Sequence, residues 1–232
     1  EKYRLQLIYT QVDRNRRNVP FLTHHTLGLD STLYFYPASM VKLPTAALAI
    51  EKLNLQLNPQ LHAESKMVTL PGGACQEGTR PDQRDGYATL RHYIKDIFLA
   101  SGNTAFDRLY SFLGQEELNE TLRRKGYPSV QITQRYGTYC SHEENRTANA
   151  VDFYHADTLI YHIPERTSSV PYQRSGKRYL VGRGHVDPEA GYVPAPRNFA
   201  DANMISLAAL HRTLIAIIMP YTQPYAQRFF LR

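Results

Sequence analysis

The chain has 232 residues, 42% of them hydrophobic and 21% charged, which is enough to bury a core in one large domain or two small ones. Its net charge of +6, from 27 Lys plus Arg against 21 Asp plus Glu, is not gathered into a nucleic-acid-binding motif. The densest basic group, Arg14-Asn15-Arg16-Arg17, reads as a solvated turn, and no run of about 18 apolar residues is present to cross a membrane.

Residues 4–12, RLQLIYTQV, alternate and are rich in β-formers, which predicts a strand. DRNRRN makes a turn, and PFLTHHTLGL at 20–29 predicts the returning strand of a hairpin. An Ala- and Leu-rich helix is expected over 39–54, with Pro44 in its first turn, where a missing N–H costs least. Residues 55–87 hold several Pro and Gly and predict loop with short elements. TLRHYIKDIFLA at 89–100 is spaced as a helix, SGN interrupts at 101–103, and TAFDRLYSFLG follows as a second helix stopped by Gly114. A third helix ends at Gly126, and 127–200 reads as a long irregular stretch of the kind that often carries function. A last helix is expected over 201–220, closed by Pro220.

The chemistry-bearing stretch is YPASMVKLPTAALAIEKL, where Ser39 and Lys42 stand three apart and so share a helix face. A serine hydroxyl needs a base within reach to become a nucleophile. A lysine set among Leu43, Ala46, Ala47 and Ile50 has its neutral form favoured and can serve as that base. S-x-x-K is short enough to arise by chance, but Ser101-Gly102-Asn103 stands 62 residues beyond Ser39 between two helices. S-x-x-K followed by S-x-N is part of the motif set of the penicillin-recognising serine enzymes. Without that resemblance, Ser101 and Asn103 would be read as helix caps.

On these residues, with LASGNTAFDRLYSFLG, the chain resembles the class A β-lactamase-like serine hydrolases. The resemblance implies an α+β, three-layer fold, with an antiparallel sheet flanked by helices and a helical subdomain over about 55–200. It implies that Ser39 is the acylated nucleophile, Lys42 its base or proton relay, and Ser101 the donor to the leaving nitrogen. Asn103 would bind the substrate amide, and the N–H of Ser39 would form half of an oxyanion hole. The substrate would be a small β-lactam or a peptidoglycan-like amide, with no cofactor and no metal. The location would be exported and periplasmic, with a signal peptide already removed from the Glu1-Lys2-Tyr3-Arg4 start. Cys75 and Cys140 fit either one disulfide or two inert thiols.

Three departures bear on activity. Gly102 stands where class A enzymes have aspartate, so a looser loop is expected. The deacylating E-x-x-L-N pattern is absent; Glu144, with Glu143 beside it, is the candidate in Ser141-His142-Glu143-Glu144-Asn145. No K-T-G occurs: Lys177 precedes Arg178, and Arg183-Gly184-His185 only imitates it. The chain is therefore expected to span the first two-thirds of a single domain over 1–232, with the K-T-G strand and closing helix on a further C-terminal fragment. The alternatives are a penicillin-binding-type peptidase and a degenerate binding or sensor module of the same fold. A third, an unrelated protein with a chance S-x-x-K, would place Ser39 and Ser101 far apart.

Overall fold

The computed structural model describes residues 4–55, 58–72, 88–137, 140–172, 178–187 and 190–231. Strands β1 (Leu7–Arg14) and β2 (Pro20–Leu27) form the expected antiparallel hairpin, with Leu7 opposite Leu27 and Arg14 opposite Pro20. Asn15 ties the turn, accepting the N–H groups of Arg17 and Val19 on its side chain. A 3-10 turn at Ala38–Val41 then leads into helix α1 (Lys42–Leu55). Strand β3 (Lys66–Thr69) precedes helix α2 (Leu90–Ala100), which Thr89 caps through its side chain.

Helix α3 (Asn103–Leu113) is the centre of the molecule. From Ala105 to Leu113 every residue is buried, including Asp107, Arg108 and Ser111. It packs against α1, α2 and the following helix α4 (Gln115–Arg124). Gly114 separates α3 from α4 at φ 78°, a left-handed value that glycine adopts without strain. Close by, Arg166 donates to the carbonyl oxygens of Ser111 and Phe112, so a cation closes the negative end of α3.

The stretch expected to be irregular contains more order than its sequence suggests. After a one-turn helix α5 (His142–Asn145) come the short strand β4 (Thr147–Ala148), β5 (Val151–His155), β6 (Thr158–Ile163) and the short β7 (Arg166–Thr167). β5 sits between β3 and β6 in a three-stranded antiparallel sheet, and β4 pairs with β7. Val151 and Phe153 are fully buried, and Phe153 meets Phe112 of α3 edge-on, which fastens this sheet to the helical core. Asp152 and His162 pair across it at 2.6 Å. Two further two-strand pairs, β8 (Leu180–Val181) with β11 (Arg197–Asn198) and β9 (His185–Asp187) with β10 (Gly191–Val193), complete the strand set described. The architecture is α+β, as expected, with its strands in separate small sheets among the described residues.

Helix α6 (Leu207–Ile218) starts later than expected. Ser206 caps it, and residues 201–205 stay outside the helix, where the buried Asn203 side chain accepts the N–H groups of Thr133 and Gln134. α6 supports the inner face of the hairpin. There Thr10 Oγ1 lies 2.7 Å from His211 Nε2 and 3.0 Å from His24 Nδ1. Beyond α6 the chain returns to α1 and α4, burying Phe229. Lys125 and Glu51 form a buried ion pair there at 2.9 Å. Lys125 also donates to Arg228 O, and Glu51 accepts the N–H of Phe230.

Two predictions follow from this packing. Glu51→Ala leaves the Lys125 ammonium buried without its partner and is expected to cost about 3–5 kcal/mol in urea unfolding, with much of the loss regained in Glu51→Leu/Lys125→Met. His211 has its pKa lowered, first by burial and then by His24. A histidine held neutral in the folded state contributes stability above its ordinary value of about 6.5 and loses it as pH falls below that. The urea midpoint should therefore decline below pH about 6.5, and less so in His211→Gln.

Candidate active site

Ser39 and Lys42 lie at the junction of the 3-10 turn and α1. Ala38, immediately before Ser39, has φ 43°, a left-handed value that is strained for a residue with a side chain. Its carbonyl accepts the Tyr136 hydroxyl at 2.9 Å, which holds the strained residue in place. Ser39 is exposed, whereas Lys42 is only 2% exposed.

On the opposing side, α2 ends at Ser101, again left-handed at φ 55°, and α3 begins at Asn103. This corner turns both polar side chains toward Lys42. Lys42 Nζ donates to Asn103 Oδ1 at 2.7 Å, to Ser101 Oγ at 3.2 Å, and to the Ser101 carbonyl. Ser101 Oγ in turn donates to Ser39 Oγ at 2.9 Å. The two serines expected to be neighbours are therefore in hydrogen-bond contact. The direct Lys42-to-Ser39 contact inferred from their spacing is replaced by an indirect one, because the Ser101 hydroxyl stands between them.

Burial lowers the pKa of Lys42, while the carboxylates of Asp107 and Asp96 pull it back up. Asp107 lies one turn along α3 from Asn103 and is itself buried, which raises its pKa. It accepts the N–H groups of Tyr136 and Gly137, both at 2.9 Å. One carboxylate thus favours the charged lysine and also anchors the loop whose tyrosine holds Ala38. Sequence reasoning missed Asp107, Tyr136 and Ala38. The spacing of four between Asn103 and Asp107 was a readable signal for the first; nothing local pointed to Tyr136.

Glu144 is placed differently. It is the third residue of the one-turn helix α5 and completes a capping box: Ser141 N–H donates to Glu144 Oε2 at 2.7 Å, and Glu144 N–H donates to Ser141 Oγ at 3.2 Å. The Ser141 backbone bond, foremost, holds its carboxyl below the usual range. Glu143 pairs with Arg146 at 2.7 Å. Both glutamates are thus engaged in local structure. Asn145, beside them, is buried and accepts the N–H of Arg135, and Asn119 is buried with its amide bonded to Gln115 O and Ile132 O. Cys140 is disulfide-bonded; Cys75 lies outside the described residues, as does Lys177.

Ser39, Ser101 and Lys42 help line a cleft of about 430 Å³ whose walls also include Ile8 of β1, Met40, Phe98 of α2 and Leu210 of α6. Among the described residues, no group of three His, Cys, Asp or Glu side chains is placed to hold a metal, and no helix is long and apolar enough to cross a membrane.

The S-x-x-K and S-x-N segments, which belong to the motif set of penicillin-recognising serine enzymes, thus meet in space through the Ser101 hydroxyl. Residues 17–166 match the family described as the Beta-lactamase enzyme family. The chain belongs to that family, and the matched region contains Ser39, Lys42, Ser101, Asn103 and Glu144. No curated protein and no solved structure matches.

The Tyr136 bond can be tested apart from the reacting groups. Tyr136→Phe should cost about 1 kcal/mol in denaturant unfolding, while Tyr9→Phe, on the exposed hairpin face, should leave the unfolding midpoint unchanged.

Proposed function

We propose that this chain is a serine hydrolase that forms an acyl-enzyme at Ser39 on a β-lactam or a peptidoglycan-like amide. The observation that carries the reading is the unbroken hydrogen-bonded series Lys42–Ser101–Ser39. Family membership and the burial of Lys42 support it.

The donor count suggests how the series works. Three acceptors use the three N–H groups of the Lys42 ammonium. On losing one proton, the neutral amine keeps an N–H for the Ser101 carbonyl and another for Asn103 Oδ1. Its lone pair then faces Ser101 Oγ. In that state the donors reverse: Ser39 O–H points to Ser101, and Ser101 O–H to Lys42. Ser39 Oγ attacks the substrate carbonyl carbon while its proton moves to Ser101 and the Ser101 proton moves to Lys42. The developing oxyanion would be met by the N–H of Ser39. The C–N bond then breaks, and the nitrogen takes its proton from Ser101, which is refilled from Lys42.

Deacylation needs a water activated by a base. Since Glu144 is held by Ser141, we leave it out of the catalytic set and infer slow release of the acyl group. This favours penicillin-binding-type behaviour over rapid lactam turnover. The disulfide at Cys140 fits an oxidising compartment, and we place the protein outside the cytoplasm on that ground.

The deciding measurement is the intact mass of the protein with and without benzylpenicillin. A persistent adduct in the wild type, absent in Ser39→Ala, is expected; an unmodified protein with the drug intact would overturn the reading and favour a binding module of the same fold. The rate of adduct formation should rise with pH as Lys42 loses its proton, with a midpoint below the ordinary lysine value of about 10.4 because burial disfavours the ammonium. Lys42→Met should slow acylation by about 10²–10⁴-fold and remove that pH limb.

A further inference from the structure

The corner that carries Ser101 and Asn103 has its one glycine at a position where the backbone does not ask for it. Gly102 has φ −56° and ψ 121°, which any residue adopts, while Ser101 beside it is left-handed at φ 55°. If backbone conformation set the sequence, glycine would stand at 101. What Gly102 lacks is space: a Cβ there would collide with both carboxylate oxygens of Asp96 and would lie 2.5 Å from its Cγ. Asp96 sits in the last turn of α2, and its carbonyl also accepts the N–H of Gly102 at 3.3 Å.

We infer that Asp96 is a positioning residue for the proposed acylation. Its carboxylate occupies the place of a side chain at 102 and packs against the corner that presents Ser101 and Asn103 to Lys42. This rests on the reading of Ser39, Ser101 and Lys42 as an acylating relay. It also revises the expectation that glycine at 102 leaves the loop unbraced. The brace comes from the helix before the motif, six residues upstream of the position it fills. A carboxylate there has a second consequence, because its negative charge favours the ammonium form of Lys42 against burial. Among the described residues, the charged or titratable groups about Lys42 include Asp96 from α2, Asp107 from α3, and His211 of α6 on the wall of the same cleft. Asp96 is half-buried, so solvent screens part of its field.

Steric fit and charge can be separated by two sets of variants. Gly102→Ala should lower the unfolding temperature. Asp96→Ala/Gly102→Ala should recover most of that loss, because the methyl group then has room. Asp96→Asn keeps the shape and removes the charge. In protein labelled with carbon-13 at lysine, the Lys42 ε-methylene titration should move to lower pH, leaving more of the amine neutral at a fixed pH. The pH limb of benzylpenicillin acylation should move with it. A Gly102→Ala protein as stable as wild type, a double variant no better than Gly102→Ala, or an unmoved Lys42 titration in Asp96→Asn would each overturn the inference. The unfolding and NMR measurements need no acylation. A protein that shows the rescue and the shift but takes up no penicillin would therefore sink the proposed activity and leave the placement of Asp96 standing.

Discussion

The arrangement depends on how one buried ammonium is satisfied. Lys42 is withdrawn from water at the start of α1, and a charge so placed is tolerated only when each of its protons finds an acceptor. Two of the three acceptors belong to Ser101 and the third to Asn103, so the end of α2 and the beginning of α3 are held against α1 by a single nitrogen. The corner between those helices cannot relax without stranding a charge. The position of the Ser101 hydroxyl beside Ser39 follows from that constraint. Asp107 extends it: by holding the backbone at 136 and 137, it ties the loop over Ala38 to the same buried helix.

Several features of the fold were legible because they rest on local signals. The hairpin followed from alternation, and α2, α3 and Gly114 from helical spacing and a stop residue. S-x-x-K and S-x-N marked the residues that meet, since their chemistry is written in the side chains themselves. The link between Lys42 and Ser39 was read too directly. Spacing on one helix says which residues share a face, but it says nothing about a third hydroxyl arriving from another corner of the chain.

The rest was hidden because it depends on long-range partners. β5 and β6 flank a tight turn in which Ala156 has φ 51°, without the Asn-Gly or Asp-Gly pair that usually announces a hairpin. β5 is stabilised by β3, more than 80 residues earlier, so its signal is split across the sequence. The start of α6 was displaced by Asn203, a residue that looks like part of a helical run but is consumed by the backbone at 133 and 134. Glu144, the deacylating candidate named from the sequence, is the third residue of the one-turn helix α5 and closes a capping box in the structure. The S-x-x-E spacing of Ser141 and Glu144 was there to be read.

Ala38, next to Ser39, and Ser101 both adopt left-handed backbone that glycine would take at lower cost. At position 101 backbone strain and the needs of a buried charge are opposed in a single residue. Glycine would take this conformation at about 1 kcal/mol less, but it would also remove the hydroxyl that is one of the three acceptors of the Lys42 ammonium. The corner is therefore kept strained by the charge it satisfies, and any gain in backbone ease at 101 would be drawn from the burial of Lys42.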